Sequence, residues 1–450
     1  MIDSAAGGVP RDVARVLFAT LASAGAVALG ASVTLPAQVA SVGAVMLGIV
    51  ALGALVWAAL SGVQRAPIGW VLAVAAAVRA PYLLAPPTFS DDVYRYVWEG
   101  RVWVAGFNPF AMAPSDPALV GLRDAVWARV NHPEVSSIYP PLAQAAFVVL
   151  APFGVLGWKV TAAAFDCGTA ALLARRRPEA GWLWALLPLP ALEAAGSGHV
   201  EAIGVFLLVA ALDAAGRGRL GTARAAAWAG AMVKLLPAAA LLPLLRSRRD
   251  WALWTGVSVL AALPLLGAGA GVVRGFETYR ATWMFNGSAY PLLAWALSGL
   301  PGDPARWILQ GVGAAVVGWA VWRGRQTRDA ESGSALGQSA ARVALAATSA
   351  FVLLSPTVHP WYVLWALAVA LWTGVQTARP WVLAAVLVPG AYRVLGTLHD
   401  GVWSEDPATR WVIWLPVWMV LVRTWVRGAA PLNDQSPDVS RRRGSGVGTG

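Results

Sequence analysis

Apolar runs separated by short polar breaks recur along most of this chain. A spanning helix needs about 20 mainly apolar residues. Runs near that length or shorter begin at Val16–Leu35, Val39–Val63 and Ile68–Ala85. After a long polar interval they resume at Trp158–Leu173, Trp182–Ala195, Val200–Ala215 and Trp251–Gly267. They continue at Trp307–Trp322, Val343–Leu354, Trp361–Gly374, Trp381–Leu395 and Trp411–Val426. Three further segments are interrupted. Ile138–Leu156 contains Pro152 and Gly154, Ala225–Leu245 contains Lys234 and Pro237, and Pro291–Leu300 is too short to cross. The pattern predicts an all-α integral membrane protein, a polytopic bundle of about 12–14 crossings.

Composition agrees. The chain has 450 residues, of which 58% are hydrophobic and 13% charged. Soluble domains carry about 25% charge, so a soluble reading is excluded. The net charge of +11 is read as loop arginine facing the cytoplasm, not as a nucleic-acid footprint. The single cysteine, Cys167, rules out an intramolecular disulfide. Many of the 25 tryptophans stand at the ends of apolar runs, as interfacial belts use them.

Arginine marks the inside. Arg11 and Arg15, Arg175 to Arg177, Arg217 and Arg219, Arg246 to Arg249, and Arg323 and Arg325 are the inward-facing groups. Both termini are then expected in the cytoplasm of a cell (plasma) membrane protein. Residues 1–430 form one membrane domain and 431–450 a disordered basic tail. Residues 323–341 form a cytoplasmic loop whose Gly/Ser-rich stretch is expected to be flexible. The interval 86–137 is external and, unlike the other long loops, acidic. Its helical spacing at Val93, Tyr96, Val97, Gly100 and Val104 predicts a helix lying along the membrane surface.

The candidate chemistry starts from Asp91-Asp92, which heads that helix. Two acids there can cap the helix, supply a general base for a hydroxyl acceptor, or ligate a divalent cation such as Mg or Mn. All four histidines, His132, His199, His359 and His399, fall on the same external side. Glu201 opens an apolar run. Lys234 lies within another, where an unpaired cation costs about 3 kcal/mol, so it either snorkels, pairs with a buried acid or binds an anionic phosphate. Arg393 lies near the outer end of a span. Asp166 and Asp213 read as structural. No two histidines share a metal-ligand spacing.

Ser90-Asp91-Asp92-Val93-Tyr94-Arg95-Tyr96, Glu99-Gly100-Arg101, Gly106 to Phe110, Asn131-His132-Pro133 and Ile138-Tyr139-Pro140-Pro141 together resemble the GT-C superfamily of glycosyltransferases. Within it they are most similar to glycosyltransferase family 87 and the bacterial α-mannosyltransferases. Gly198 to Glu201, Lys234 to Pro237, Trp283 to Asn286 and Ser355 to Tyr362 are similar to later motifs of that group. The likeness covers roughly residues 65–400. It implies transfer of a hexose, mannose above all, from a polyprenyl-phosphate donor to a glycan or glycolipid acceptor at the external face. The displacement would be inverting, with Asp91 as base, Asp92 as its partner, and Lys234, Arg393 and His359 neutralising the leaving phosphate. Arg95, His132, Tyr139, His199, Glu201, Trp283, Asn286 and Tyr362 join the substrate-binding set by the same likeness. Glu201 stands where relatives often carry Asp. A transporter of lipid-linked glycans is the other reading. It would favour internal repeats and midplane polar sites, and the sequence offers neither.

Overall fold

In the computed structural model, residues 67–87, 90–269, 271, 273, 275, 277–278, 284–326, 333–398 and 407–426 are described. The two runs expected over 16–63 lie outside them. Among the described residues the chain is helical, without a strand. The helices are α1 (Ile68–Leu84), α2 (Asp92–Val104), α3 (Pro141–Leu150), α4 (Gly154–Arg176), α5 (Pro178–Leu186), α6 (Glu201–Gly216), α7 (Leu220–Val233) and α8 (Arg248–Ala261). They are followed by α9 (Tyr290–Ala296), α10 (Pro304–Gln326), α11 (Gly333–Leu354), α12 (Val363–Thr373), α13 (Val375–Leu398) and α14 (Pro407–Val426).

Helix α12 is the axis of the bundle. Every one of its residues is buried, as expected of a helix apolar on all sides. Helices α6, α11 and α13 pack around it, and α4 packs on α6. Proline and glycine set the ends. The chain leaves α1 at Ala85 before Pro86-Pro87, and a residue before proline is driven out of helical geometry. Pro141 and Pro178 open α3 and α5, where the missing N–H costs nothing.

Among the described residues, two helical segments are long and apolar enough to cross a membrane: Pro141–Arg176 and Ala335–Leu354. The first is interrupted by a 3-10 turn at Ala151–Phe153 and by Gly154 at φ 60. Within it α3 has 10 residues and α4 has 23, so α4 alone has the length of a span.

Two expectations change. Helix α2 does not lie open on a surface: Val93 to Gly100 are all buried, under the 3-10 turns of the following loop on one side and α3 on the other. Gly100 permits this approach, since a Cβ there would stand 2.1 Å from the Phe147 carbonyl oxygen. And α11 begins at Gly333, so the second half of the expected flexible loop is helical.

One buried charge pair ties the first helices together. The Arg79 guanidinium of α1 donates to Asp166 of α4, to the Ala75 carbonyl (3.1 Å) and to the Ala185 carbonyl (2.8 Å). Trp184 donates to the other Asp166 oxygen at 2.8 Å. Removing one partner of a buried pair costs about 3–5 kcal/mol, whereas replacing both by apolar groups is often neutral. Asp166→Leu is therefore expected to lower the unfolding temperature of the detergent-solubilised protein sharply. Arg79→Met with Asp166→Leu should recover most of the loss; a double variant as unstable as the single one would refute the pairing argument.

Candidate functional site

The polar residues of the bundle gather where α2 and α6 begin, where α7 ends and where α12 is entered. Neither acid of the pair caps α2. Asp92 turns inward. Its Oδ1 accepts from Asn131 Nδ2 (2.7 Å) and its Oδ2 from the Tyr139 hydroxyl (3.4 Å), with His199 Nδ1 at 3.8 Å. Burial alone would raise its pKa, but His199, the Asn131 hydrogen bond, Lys234 and His359 outweigh it, and the carboxyl lies below its ordinary value. Asp91 turns the other way and is exposed beside Arg129. Packing around it raises its pKa, the charge of Asp92 adds to the rise, and Arg129 opposes it.

Lys234 follows the last residue of α7, in extended backbone that Pro237 helps to end. Its ammonium meets Glu201 Oε1 at 2.7 Å and lies 5.2 Å from the centre of the Tyr139 ring. Of the three possibilities open at the sequence level, pairing with a buried acid is the one observed. Glu201, the first residue of α6, is fully buried. His199 is also buried. Its Nδ1 stands 3.7 Å from Glu201 and 3.4 Å from the Tyr96 hydroxyl. Its ring stacks on Trp361 at 3.9 Å, and Trp361 stacks on His359 at 4.5 Å. One aromatic column thus locks two histidines against the entry to α12.

Other expected residues hold the site together. Arg95 is buried and donates to the Val135 (3.0 Å), Asn131 (2.5 Å) and His132 (2.7 Å) carbonyls and to Asn131 Oδ1 (3.3 Å). It braces the loop that presents Asn131 to Asp92. Asn286 sits in left-handed backbone, at φ 51, its amide donating to the Val358 carbonyl (3.3 Å) and its oxygens accepting from Trp414. It clamps the loop before α9 to the turn before α12 and is 5% exposed. Tyr362 belongs to the apolar core, edge-on to His359. His132 is exposed, beside Glu134, with φ 46. Trp283, His399 and the Arg393 side chain lie outside the described residues; Arg393 itself is on α13.

Sequence reasoning left out Asn131, Tyr96, Trp361 and Glu193 as site residues. Asn131 was visible as part of Asn-His-Pro. Glu193 was visible as an acid inside the Trp182–Ala195 run, but its proximity to His199 depends on a π-turn.

Among the described residues no group of three or more His, Cys, Asp and Glu side chains is arranged to hold a metal ion. Asp91 and Asp92, expected as joint ligands, face different partners. The chemistry below runs through the chain's own groups. The arrangement offers an exposed carboxylate of raised basicity, a second carboxylate fixed beside it, and one cation at the rim of a buried cluster. These are the elements of proton abstraction next to anion binding.

The family model described as alpha-(1->6)-mannopyranosyltransferase, N-terminal domain (MptA_B family) matches residues 4–246. The match takes in Asp91, Asp92, Glu193, His199, Glu201 and Lys234 and stops before His359. No curated protein and no solved structure gives a significant match to the chain.

Burial, with Lys234 and His199 adding and Asp92 opposing, pushes the His359 pKa down to about 4. An unfolded histidine titrates near about 6.5. Between those values the unfolded chain binds a proton that the folded chain refuses, so stability is lost as pH falls from about 6.5 towards 4. His359→Gln is expected to flatten the acid side of a melting-temperature profile taken in detergent. Parallel acid limbs in the two proteins would remove His359 from that role.

Proposed function

The chain belongs to the MptA_B family of alpha-(1->6)-mannopyranosyltransferases, a family of mannosyl transfer, and on that premise we propose that it moves mannose from a polyprenyl-phosphate donor to a glycan or glycolipid acceptor at the external face of a cell membrane. The observation that carries the reading is the Lys234–Glu201 pair beside Asp92. A cation held at the rim of a dry cluster, next to two carboxylates of different basicity, suits a phosphate leaving group and a hydroxyl nucleophile.

The polytopic membrane setting has support beyond the two long apolar helices. Val412, Leu415, Met419 and Val422 form one exposed face of α14. Trp307, Ile308, Val312, Val316 and Trp319 do the same on α10. An apolar face of that size turned away from protein suits lipid. The two ends of the bundle also differ. Helix α6 runs from Glu201 to Gly216 with Arg217 as its C-cap, and the Arg176 guanidinium stacks on Trp372 (3.8 Å) at the end of α12 remote from His359. Arginine clusters at the end opposite the carboxylates, as expected if that end is cytoplasmic.

In this reading the acceptor hydroxyl attacks the anomeric carbon as the C–O bond to phosphate breaks. Asp91 accepts the hydroxyl proton, because its carboxyl is exposed and its basicity is raised. Asp92, held by Asn131 and Tyr139, fixes the backbone and the field in which Asp91 works. Lys234 exchanges part of its Glu201 contact for the departing phosphate, where negative charge grows.

The test is mannose release from a panel of polyprenyl-phosphate hexoses by purified protein in lipid. General-base removal costs about 10²–10⁴-fold, so Asp91→Asn is expected to lower kcat by at least about 100-fold. Lys234→Met should act mainly on the donor KM. Full transfer by both Asp91→Asn and Asp92→Asn would remove the base assignment. Labelled lipid crossing liposomes without any glycosyl product would replace transfer with transport.

A further inference from the structure

Between α5 and α6 the chain forms a short helix at Pro188–Ala191 and then a single π-turn, Leu192–Gly196. π-turns are rare and concentrate at functional sites. This one brings Glu193 and His199 together. The His199 N–H donates to the Glu193 carbonyl at 2.9 Å, with Gly198 at φ 70 making the return. The two side chains meet as well: Glu193 Oε2 stands 3.3 Å from His199 Nε2. Glu193 is 0% exposed, and neither carboxyl oxygen has a well-formed hydrogen bond. No lysine or arginine forms an ion pair with it among the described residues, whereas the nearby Glu201 has Lys234.

A carboxylate in that position is disfavoured, because buried charge without a cation or N–H donors is costly. A protonated carboxyl has an O–H to donate, and Nε2 of His199 stands 3.3 Å away to accept it. An imidazole that accepts at Nε2 carries its own proton on Nδ1. The Nδ1 edge faces the Tyr96 hydroxyl at 3.4 Å, within hydrogen-bond reach, with the carboxylates of Glu201 (3.7 Å) and Asp92 (3.8 Å) just beyond it on the same side. Stacking on Trp361 holds the ring plane.

We propose that Glu193 is a positioning residue: as a neutral acid it donates to His199 Nε2 and so locks His199 in the tautomer that presents Nδ1–H to Asp92 and Glu201. This deepens the transfer reading and rests on it for its kinetic consequence. It assigns His199 a fixed polarity: Nδ1–H points to the Tyr96 hydroxyl and to the side on which Asp92 and Glu201 stand.

The substitution pattern separates this role from the alternatives. Glu193→Gln keeps an N–H that can donate to Nε2, and is expected to retain transfer within about threefold. Glu193→Leu keeps bulk and loses the donor. It is expected to lower kcat on the order of 10- to 100-fold, the usual cost of losing a group that orients a functional imidazole, with the donor KM changing less. A melting curve for each variant in lipid or detergent reports folding separately. Nitrogen-15 spectra of histidine-labelled protein, assigned with His199→Gln, read the tautomer without any substrate. They should show His199 protonated at Nδ1 in the native chain and in Glu193→Gln, and not in Glu193→Leu. The infrared stretch of a protonated carboxyl should be present in the native protein and absent from Glu193→Gln.

If Glu193→Gln is as damaged as Glu193→Leu, or if His199 is protonated at Nε2 in the native protein, the proposal is overturned. If the native protein transfers no sugar from any donor, the transfer reading fails, and the tautomer and infrared signals still decide the role of Glu193.

Discussion

Charge gathered at one end of an apolar bundle is the constraint that the rest of the structure answers to. Asp92, Glu193 and Glu201 gather around His199, and Lys234 joins them through Glu201; three of the five are almost wholly removed from solvent. Each charge there would be costly alone. Lys234 offsets Glu201, Asn131 and Tyr139 offset Asp92, and His199 stands between the acids. A cluster of this kind persists only where the surrounding elements allow no retreat. Helix α12, buried along its whole length, and the His359–Trp361–His199 column supply that confinement.

The layers around the cluster divide the work. Arg95 anchors the loop that carries Asn131, and Glu99 ties α2 to the same loop through Ser137 (2.6 Å) and to α3 through Gln144 (2.6 Å). The strained backbone of Asn286 joins the turn before α12 to α14 through Trp414. Together they fix where Asp91 and Asp92 point, with Asp91 outward beside Arg129 and Asp92 inward towards Lys234. The two neighbouring acids therefore differ in basicity, and a proton acceptor can stand next to a carboxylate that stays ionised.

Much of this could be read from the chain itself. Long apolar runs predict helices whatever their partners, because a helix satisfies its own backbone. Proline and glycine mark several breaks one by one: Pro86-Pro87 after α1, Pro152-Phe153-Gly154 before α4, and Lys234 to Pro237 after α7. Asp91-Asp92, His199, Glu201 and Lys234 stood out because ionisable groups are rare in such a composition.

What the sequence determined by itself was therefore the helical class, the polar residues worth watching and, through its motifs, the mannosyltransferase family. Tertiary structure decided which of those residues meet. Arg95 and Asn286 meet partners from segments far along the chain, which no local pattern encodes. The contact between Glu193 and His199 stayed hidden for the opposite reason. Glu193 lies six residues from His199, a spacing that a regular α-helix would not bring face to face. Only the wider π-turn, closed by packing and a left-handed glycine, turns that spacing into contact.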